Sequence, residues 1–175
     1  MTYYTLIESP IGPLLLTSDG ASLTGLYMAP HPHGPDWTRA DDVAPLPEAR
    51  RQLAAYFDGS STTFDLPLAS SGTPFQKRVW EELARIPYGA TLSYGELARR
   101  IGNSNACRAV GAANGRNPIS IVVPCHRVIG SGGKLVGYGG GLTRKEVLLA
   151  LEARVLAEGA RPSSPADAGA PRDGG

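Results

Sequence analysis

Cysteine is scarce in this chain, and long apolar runs and an excess of charge of either sign are missing. Only Cys107 and Cys125 occur among 175 residues. Two cysteines are too few for a disulfide framework, so both thiols are expected to be reduced. No run approaches the roughly 20 apolar residues that span a bilayer, and the start of the chain lacks the basic and apolar segments of a secretion signal. The sequence therefore predicts a cytoplasmic protein that contacts no membrane.

The net charge of +1 conceals an uneven distribution. Residues 1–74 carry three basic and eight acidic side chains, whereas residues 75–155 carry twelve basic and five acidic ones. A compact basic segment is typical of a module that binds a polyanion, although ordinary surface variation explains the pattern equally well. With 42% hydrophobic residues the chain can bury a core, so it is not globally disordered.

The first 72 residues are predicted to form a small antiparallel α+β domain. The turn signal Asp19-Gly20 joins β-prone runs, and a helix is expected over Pro47–Phe57. Residues 29–47 read as a surface loop. The loop holds His31 and His33, but no third ligand is near them, so a solvated loop is favoured over a metal site. The predicted strands are Tyr3–Glu8, Leu14–Ser18 and Ser22–Met28.

Residues 73–158 are predicted to form a second, mainly helical domain. Capping-box patterns mark three helix starts, and a short apolar strand over Ile121–Val123 leads into Pro124-Cys125. Residues 159–175 are rich in Ala, Pro, Gly and Ser and are expected to be a disordered tail. The four helices are expected from Thr73 to about Ile86, over Ser93–Arg100, from about Asn105 to Ala113, and from Thr143 to about Ala157.

Two of these short helices, joined by residues 101–104, fit a helix-turn-helix, although a plain helical hairpin fits equally well. The second helix carries small residues and one large side chain, Arg108. Small residues allow the helix to approach another surface closely, and the single arginine would protrude from the helix. Because the helix offers few polar groups to base edges, a sequence-specific transcription factor is disfavoured.

Cys125 is followed by His126, which could act as its base. A thiolate is the nucleophilic form of cysteine, and burial behind the apolar run would oppose its formation. The cysteine of an isolated Cys-His pair is more often an inert buried thiol than a nucleophile. A zinc site is also disfavoured, because the segment offers too few further ligands. Cys107 is interpreted as a small core residue.

Three segments that occur in order favour a reactive thiol over an inert one. Asn114–Pro118, Pro124-Cys-His-Arg127 and Gly137–Gly141, together with Arg108–Gly111 and Ser93-Tyr94, resemble the O6-alkylguanine-DNA alkyltransferase family. The resemblance covers about Thr73–Glu152, and the Pro-Cys-His-Arg tetrapeptide is the active-site signature of that family. The chain departs from many relatives at Gly139, where they carry serine.

The resemblance implies a ribonuclease H-like N-terminal domain and single-use transfer of an alkyl group from O6-alkylguanine, and from O4-alkylthymine, to Cys125. By the same resemblance, His126 is a water-mediated base, Glu152 orients its imidazole, Tyr94 assists base extrusion and bonds N3 of the flipped base, and Asn117 holds the active-site turn. Arg108 would fill the space of the flipped nucleotide. The other expected DNA contacts are Ala106, Ala109, Ala113 and Arg127, and the expected base-pocket residues are Val128, Tyr138, Gly139 and Gly140.

No cofactor is expected. Some members of the family that the sequence resembles bind a structural zinc in the N-terminal half, but this chain has no cysteine there, so no metal is expected either. The expected partner is duplex DNA with an O6-alkylguanine lesion, bound by a monomer that can cluster cooperatively. Two alternatives stay open. A cysteine hydrolase would use the same Cys-His-Glu set but turn over, and a non-catalytic lesion-binding relative would carry tryptophan in place of Cys125.

Overall fold

A computed structural model describes residues 1–134 and 141–159. The N-terminal half contains a four-stranded sheet with the order β3-β2-β1-β4. The strands are β1 (Tyr3–Ile7), β2 (Leu14–Ser18), β3 (Leu23–Met28) and β4 (Thr38–Arg39). The first three are antiparallel and confirm the predicted strands, whereas the short β4 runs parallel to β1 and was not predicted. Helix α1 (Leu46–Asp58) buries Leu46, Ala49, Leu53 and Tyr56.

The C-terminal half contains four helices, as predicted. They are α2 (Pro74–Ala84), α3 (Tyr94–Arg100), α4 (Cys107–Gly115) and α5 (Leu142–Gly159). Two-residue strands β5 (Leu92–Ser93) and β6 (Val128–Ile129) pair in parallel. Two 3-10 turns complete this half of the described chain, at Cys125–Arg127 and Ser131–Gly133.

The three predicted capping boxes are formed to different extents in the structure. Before α2, the Thr73 hydroxyl accepts from the Gln76 N–H and the Gln76 side chain accepts from the Thr73 N–H, which is a complete capping box. Before α3, Ser93 accepts from the Glu96 N–H, but the Glu96 carboxylate pairs with Arg99. Helix α5 begins at Leu142, so Thr143 lies within its first turn and does not cap it.

The predicted strand over Ile121–Val123 is wrong. The Val122 N–H donates to the Ser120 carbonyl at 2.8 Å, which closes a γ-turn around Ile121, whose φ is +71°. A second γ-turn follows, because the Cys125 N–H donates to the Val123 carbonyl at 2.8 Å. A short apolar run signals burial without specifying the backbone path. Here the path folds tightly instead of extending, and a positive φ at a β-branched residue is a strained conformation.

The N-terminal sheet holds the segment that leads to Cys125. Leu26 on β3 donates its N–H to the Pro118 carbonyl at 2.8 Å and accepts from the Ser120 N–H at 3.1 Å. The same strand also bonds the connection between the halves, since the Leu23 N–H donates to the Pro67 carbonyl at 2.8 Å. One hydrophobic core runs through both halves. Within the described ranges, no helix is long and apolar enough to cross a membrane.

Candidate active site

Cys125 lies at the start of a 3-10 turn and is 5% exposed. Asn117 holds the preceding loop at two points: its Nδ2 donates to the Val123 carbonyl at 2.8 Å, and its Oδ1 accepts from the Ile119 N–H at 3.1 Å. Asn117 therefore links the residues on either side of the γ-turn at Ile121. The loop in turn fixes where the Cys125 side chain points.

The surroundings of the thiol favour its protonated form in the resting protein. Burial raises the pKa of Cys125, while the side chains of Asn117 and Ser120 and the charge of Lys145 act in the opposite direction. Because burial is the largest of these effects, Cys125 is a neutral thiol at rest, and a neighbouring group must take its proton before it can react as a thiolate. The site needs a base.

His126 is fully buried and is the nearest such base in sequence. Its Nε2 lies 2.7 Å from Oε2 of Glu152, and its Nδ1 has no hydrogen-bond partner among the described residues. Burial lowers the pKa of His126, although Glu152 opposes this effect. The imidazole is therefore neutral at neutral pH. With Nε2 donating to Glu152, Nδ1 is the nitrogen that can accept a proton.

Glu152, on α5, is the centre of a buried hydrogen-bond network. Besides His126, its carboxylate accepts from the Tyr56 hydroxyl at 2.7 Å, the Gly89 N–H at 3.1 Å, and Arg127 Nε and Nη2 at 2.8 and 2.9 Å. Burial alone would raise the pKa of Glu152, but the bonds from His126 and Arg127 outweigh it and lower the pKa to about 2. Glu152 is therefore ionised, and it orients the imidazole.

Arg127 belongs to this network and not to the DNA surface. The residue is 6% exposed, its Nη1 donates to the Ile86 carbonyl at 2.7 Å, and its guanidinium lies 5.5 Å from the centre of the Tyr88 ring. The prediction that Arg127 contacts DNA is therefore wrong. The buried carboxylate of Glu152, which sequence could not place next to Arg127, provides the counter-charge.

The structure adds a buried lysine that the sequence did not single out. Lys145, in the first turns of α5, is fully buried and donates from Nζ to the Val128 carbonyl at 2.6 Å. Its charge favours the thiolate form of Cys125, which lies close to it. Burial in turn lowers the pKa of Lys145.

The Val128 side chain is fully buried in the core, so the structure does not place it on an accessible pocket surface.

Helix α4 presents a bare outer surface. Arg108 and Ala109 are exposed and Ala106 is half-buried, as a close approach to DNA requires. Ala113, however, is buried, and its carbonyl accepts from Trp80 Nε1 at 2.8 Å. The prediction that Ala113 contacts DNA is therefore wrong, because it lies on the core-facing side of the helix.

The prediction that Cys107 is a core residue is also wrong, since it is exposed. Helix α4 begins at Cys107, later than the predicted start near Asn105, and its first residues face away from the core. The two cysteines of the chain therefore lie in opposite environments, one exposed and one buried.

Tyr94 begins α3 and is half-buried against α4. A Cβ added at Gly111 would lie 3.8 Å from Tyr94 Cε1, so the ring packs over this glycine. Burial raises the pKa of the Tyr94 hydroxyl, the Asn114 side chain lowers it, and a charge on Cys125 would raise it further. Tyr94 thus lies close to the nucleophile. The predicted pocket residues Tyr138, Gly139 and Gly140 lie outside the described residues.

Sequence reasoning did not find Tyr56, Asn114 or Lys145. Tyr56 lies 96 residues from the carboxylate that it contacts, and it comes from the N-terminal half. Its position on the inner face of α1 signalled a core residue, and nothing local indicated that its hydroxyl meets a charge. Asn114 and Lys145 lie in segments that the sequence predicts to be helical. Only their burial in the structure marks them as unusual, and the sequence gives no sign of it.

The helix-turn-helix and the buried cysteine together define a class of protein in which a nucleophilic thiol lies behind a DNA-binding helix. Comparison with known families makes this specific. The DNA-binding domain of 6-O-methylguanine DNA methyltransferase matches residues 74–154, and the ribonuclease-like domain of the same family matches residues 2–70. The chain belongs to the 6-O-methylguanine DNA methyltransferase family.

Individual relatives agree. The chain is 54% identical over 153 residues to the methylated-DNA–protein-cysteine methyltransferase of Mycobacterium tuberculosis strain H37Rv, covering 87% of this chain and 93% of that protein. It is 53% identical over 154 residues to that of Methanosarcina acetivorans, covering 86% and 97%. It also matches the crystal structure of Mycobacterium tuberculosis OGT in complex with DNA, with a TM-score of 0.82 and 54% identity over 87% of this chain and 94% of that chain.

These findings confirm the predicted family, the α+β fold class with a ribonuclease-like N-terminal domain, and the enzyme class, a methylated-DNA–[protein]-cysteine S-methyltransferase of DNA repair.

Proposed function

We propose that this protein removes the alkyl group from O6-alkylguanine in duplex DNA and keeps it permanently on Cys125, one group for each protein molecule. O4-alkylthymine is the second proposed substrate. The observation that carries the proposal is the buried arrangement at the nucleophile: Cys125 is followed by a neutral imidazole whose Nε2 is anchored to Glu152 and whose Nδ1 is unpartnered among the described residues.

The proposed reaction is displacement at a saturated carbon. The thiol proton passes to His126 Nδ1 through a water molecule, and the Cys125 sulfur attacks the alkyl carbon. A carbon–sulfur bond forms while the carbon–O6 bond breaks, and its electron pair stays on the guanine. The departing guanine takes up one proton at N1 through water, and the His126 imidazolium returns the thiol proton to that water, so the imidazole is neutral again and the normal base leaves. Glu152, held ionised by Arg127, stabilises the imidazolium that forms meanwhile.

The transfer is irreversible because of its product. An alkylated cysteine is a thioether, which has no carbonyl group for water to attack. No acyl intermediate forms, so the site needs no oxyanion hole and water cannot regenerate the thiol. The protein is therefore consumed by a single reaction.

The burial of Cys125 requires that the damaged base leaves the duplex. Extrusion costs a few kcal/mol, least for a poorly paired base, and alkylation at O6 weakens pairing with cytosine. The exposed Arg108 on the bare face of α4 would occupy the space of the flipped nucleotide. Tyr94, between α4 and Cys125, would donate a hydrogen bond to N3 of the base.

A stoichiometry assay tests this proposal. Duplex DNA with radiolabelled O6-methylguanine should transfer about one label per protein molecule, and tryptic mass spectrometry should find it on the Cys125 peptide. Cys125→Ala should accept none, whereas Cys107→Ala should accept as much as the wild type. Repeated turnover, or label fixed in the absence of Cys125, would contradict the proposal, and turnover of an ester or amide would instead favour a cysteine hydrolase.

A further inference from the structure

Tyr56 brings a hydroxyl from the N-terminal half into the hydrogen-bond network around Glu152. It lies on the inner face of α1, is 1% exposed, and donates to Oε2 of Glu152 at 2.7 Å. Its ring packs against Phe57, Phe64 and Tyr88, whose ring centres lie between 5.2 and 6.1 Å from its own. A phenylalanine would supply the same ring without burying a polar group, which costs free energy unless the group is bonded. Packing therefore does not account for the hydroxyl.

The oxygen that Tyr56 contacts is the oxygen that faces His126. Oε2 of Glu152 accepts from the Tyr56 hydroxyl at 2.7 Å, from His126 Nε2 at 2.7 Å and from Arg127 Nη2 at 2.9 Å. Among the described residues, Oε1 accepts from two donors, the Gly89 N–H and Arg127 Nε. A carboxylate oxygen offers about two lone-pair sites, so three donors exceed the capacity of Oε2. Tyr56 and His126 therefore compete for one oxygen.

The phenol is the donor in this bond. Glu152 is ionised, and an ionised carboxylate can only accept hydrogen bonds. Burial and the charge of Glu152 both raise the pKa of the Tyr56 hydroxyl, so it keeps its proton. Tyr56 thus takes up part of the negative charge on Oε2 and adds no positive charge of its own, whereas Arg127 adds one.

Three charged groups act on the imidazole of His126. Glu152 on α5 favours its protonated form, whereas Arg127 on the same turn and Lys145 on α5 oppose protonation, as burial does. Glu152 is therefore the group that attracts a proton to the imidazole. A neutral donor on Oε2 weakens this attraction, and it helps to keep His126 in the form that can accept the proton of Cys125.

We infer that Tyr56 is a positioning residue through which the N-terminal half weakens the attraction of Glu152 for the His126 proton, so that the imidazole is neutral when the thiol proton must be taken up. The inference deepens the proposed function and rests on it, because it concerns the proton transfer from Cys125. Helix α1 lies outside residues 74–154, which match the DNA-binding domain of the family. The N-terminal half therefore takes part in the chemistry through a side chain that acts on Glu152 and not on DNA.

Two replacements that change the phenol in opposite directions separate this role from packing. Tyr56→Phe keeps the ring and removes the donor, so Oε2 should attract the Nε2 proton of His126 more strongly. A ring-fluorinated tyrosine in place of Tyr56 is a more acidic phenol and a stronger donor, so the attraction should weaken. In ¹⁵N-labelled protein without DNA at neutral pH, the NMR resonance of this proton should move downfield with the first replacement and upfield with the second. Altered packing would not reverse the sign between them.

The transfer rate provides a second readout. In single-turnover assays at saturating O6-methylguanine duplex, Tyr56→Phe should move the acid limb of the rate–pH profile to higher pH by about one unit, because the imidazole holds a proton more tightly. At a given pH on that limb, transfer should slow by about tenfold, with little change on the plateau above it.

Tyr88→Phe is the matched control. It removes a buried hydroxyl that has no hydrogen-bond partner among the described residues, and it keeps the ring next to Arg127. Since this hydroxyl does not contact Glu152, the control should leave both the His126 resonance and the acid limb where they are in the wild type.

The outcomes are distinguishable. Wild-type protein that forms no alkylated Cys125 would refute the proposed function, whatever the His126 resonance does. Normal wild-type transfer, with an unmoved resonance and acid limb in Tyr56→Phe, would overturn the role of Tyr56 alone, as would shifts of the same sign in both replacements. If Tyr56→Phe does not fold, which thermal unfolding would reveal, the fluorinated tyrosine decides the question. An upfield shift supports the role, and an unmoved resonance overturns it.

Discussion

The carboxylate of Glu152 and the outer face of α4 lie in one domain but are built in opposite ways. Glu152 accepts five hydrogen bonds, four of them fully buried, from Tyr56, Gly89, His126 and Arg127. The outer face of α4 exposes Arg108 on a helix made almost entirely of small residues. The first region is fixed by contacts within the protein. The second is left open to contacts with something else.

The difference separates chemistry from delivery. The groups that prepare the nucleophile are locked before any substrate arrives, which avoids reorganisation during the reaction. Arg108, which is proposed to act on the duplex, is on the surface, where its replacement leaves the core intact. Substitutions in the two regions should therefore have different effects. Those around Glu152 should lower the free energy of unfolding, and those on the outer face of α4 should slow transfer from duplex DNA. The three predictions that follow test this separation.

Glu152→Gln should have the largest effect on stability. It removes the counter-charge of the buried Arg127 and an acceptor for Tyr56 and His126, and breaking a buried ion pair typically costs about 3–5 kcal/mol. Urea unfolding would measure the loss. Glu146→Gln, at an exposed carboxylate on the same helix, is the matched control and should change stability by less than about 0.5 kcal/mol. Equal losses in the two variants would show that the network contributes nothing special.

How much of this network was predictable from sequence depends on the residue. The resemblance grouped Cys125, His126 and Glu152, although 26 residues separate the last two. It did not place Arg127, which was expected on the DNA surface. A basic side chain beside an active-site tetrapeptide fits either position, and only the packing of α5 against the Cys125–Arg127 turn decides between them.

The elements with periodic patterns were predicted well, and the active-site loop was not. Helix and strand periodicity depends on local sequence, so the first three strands and the four helices were found with small errors at their ends. The path over Ile121–Val123 depends on bonds from Asn117 and from β3, both of which are tertiary. Local sequence carries no record of such bonds. The same limit explains the wrong side assigned to Cys107 and Ala113.

Arg108→Ala should have an intermediate effect, confined to DNA. The side chain is exposed, so stability should change by less than about 0.5 kcal/mol. Transfer from duplex DNA should fall by about tenfold, because the vacated stack is no longer filled at the moment of extrusion. Single-turnover rates would measure this. Transfer from the free base O6-methylguanine, which needs no extrusion, should be unaffected.

Arg154→Ala, at an exposed arginine on α5, controls for the loss of one positive charge. It should leave transfer from duplex DNA close to the wild-type rate at moderate salt. If Arg108→Ala slows the duplex and the free base equally, α4 would be part of the reactive centre, and the contrast between the two regions would fail.

Mild acid should have the smallest effect and should act on the buried region alone. Burial lowers the pKa of His126 in the folded protein, against interference from Glu152, and Arg127 and Lys145 reinforce the shift. In the unfolded chain His126 takes up a proton near its ordinary pKa of about 6.5. Below that pH the unfolded state binds more protons than the folded state, so stability is lost as the pH falls. Between pH 7.5 and 5.5 the unfolding free energy should decrease by about 1 kcal/mol.

Glu152 adds a second loss at lower pH, because its pKa of about 2 in the folded protein lies below the unfolded value of about 4.5. The stability that it contributes is complete above pH 4.5 and disappears toward pH 2. Urea unfolding at several pH values would resolve the two steps. His126→Asn should remove most of the first step, whereas Arg108→Ala should keep both unchanged, since neither step involves a group on α4. A pH dependence that survives in His126→Asn would place the titrating group elsewhere, and the buried imidazole would no longer account for the acid sensitivity of the fold.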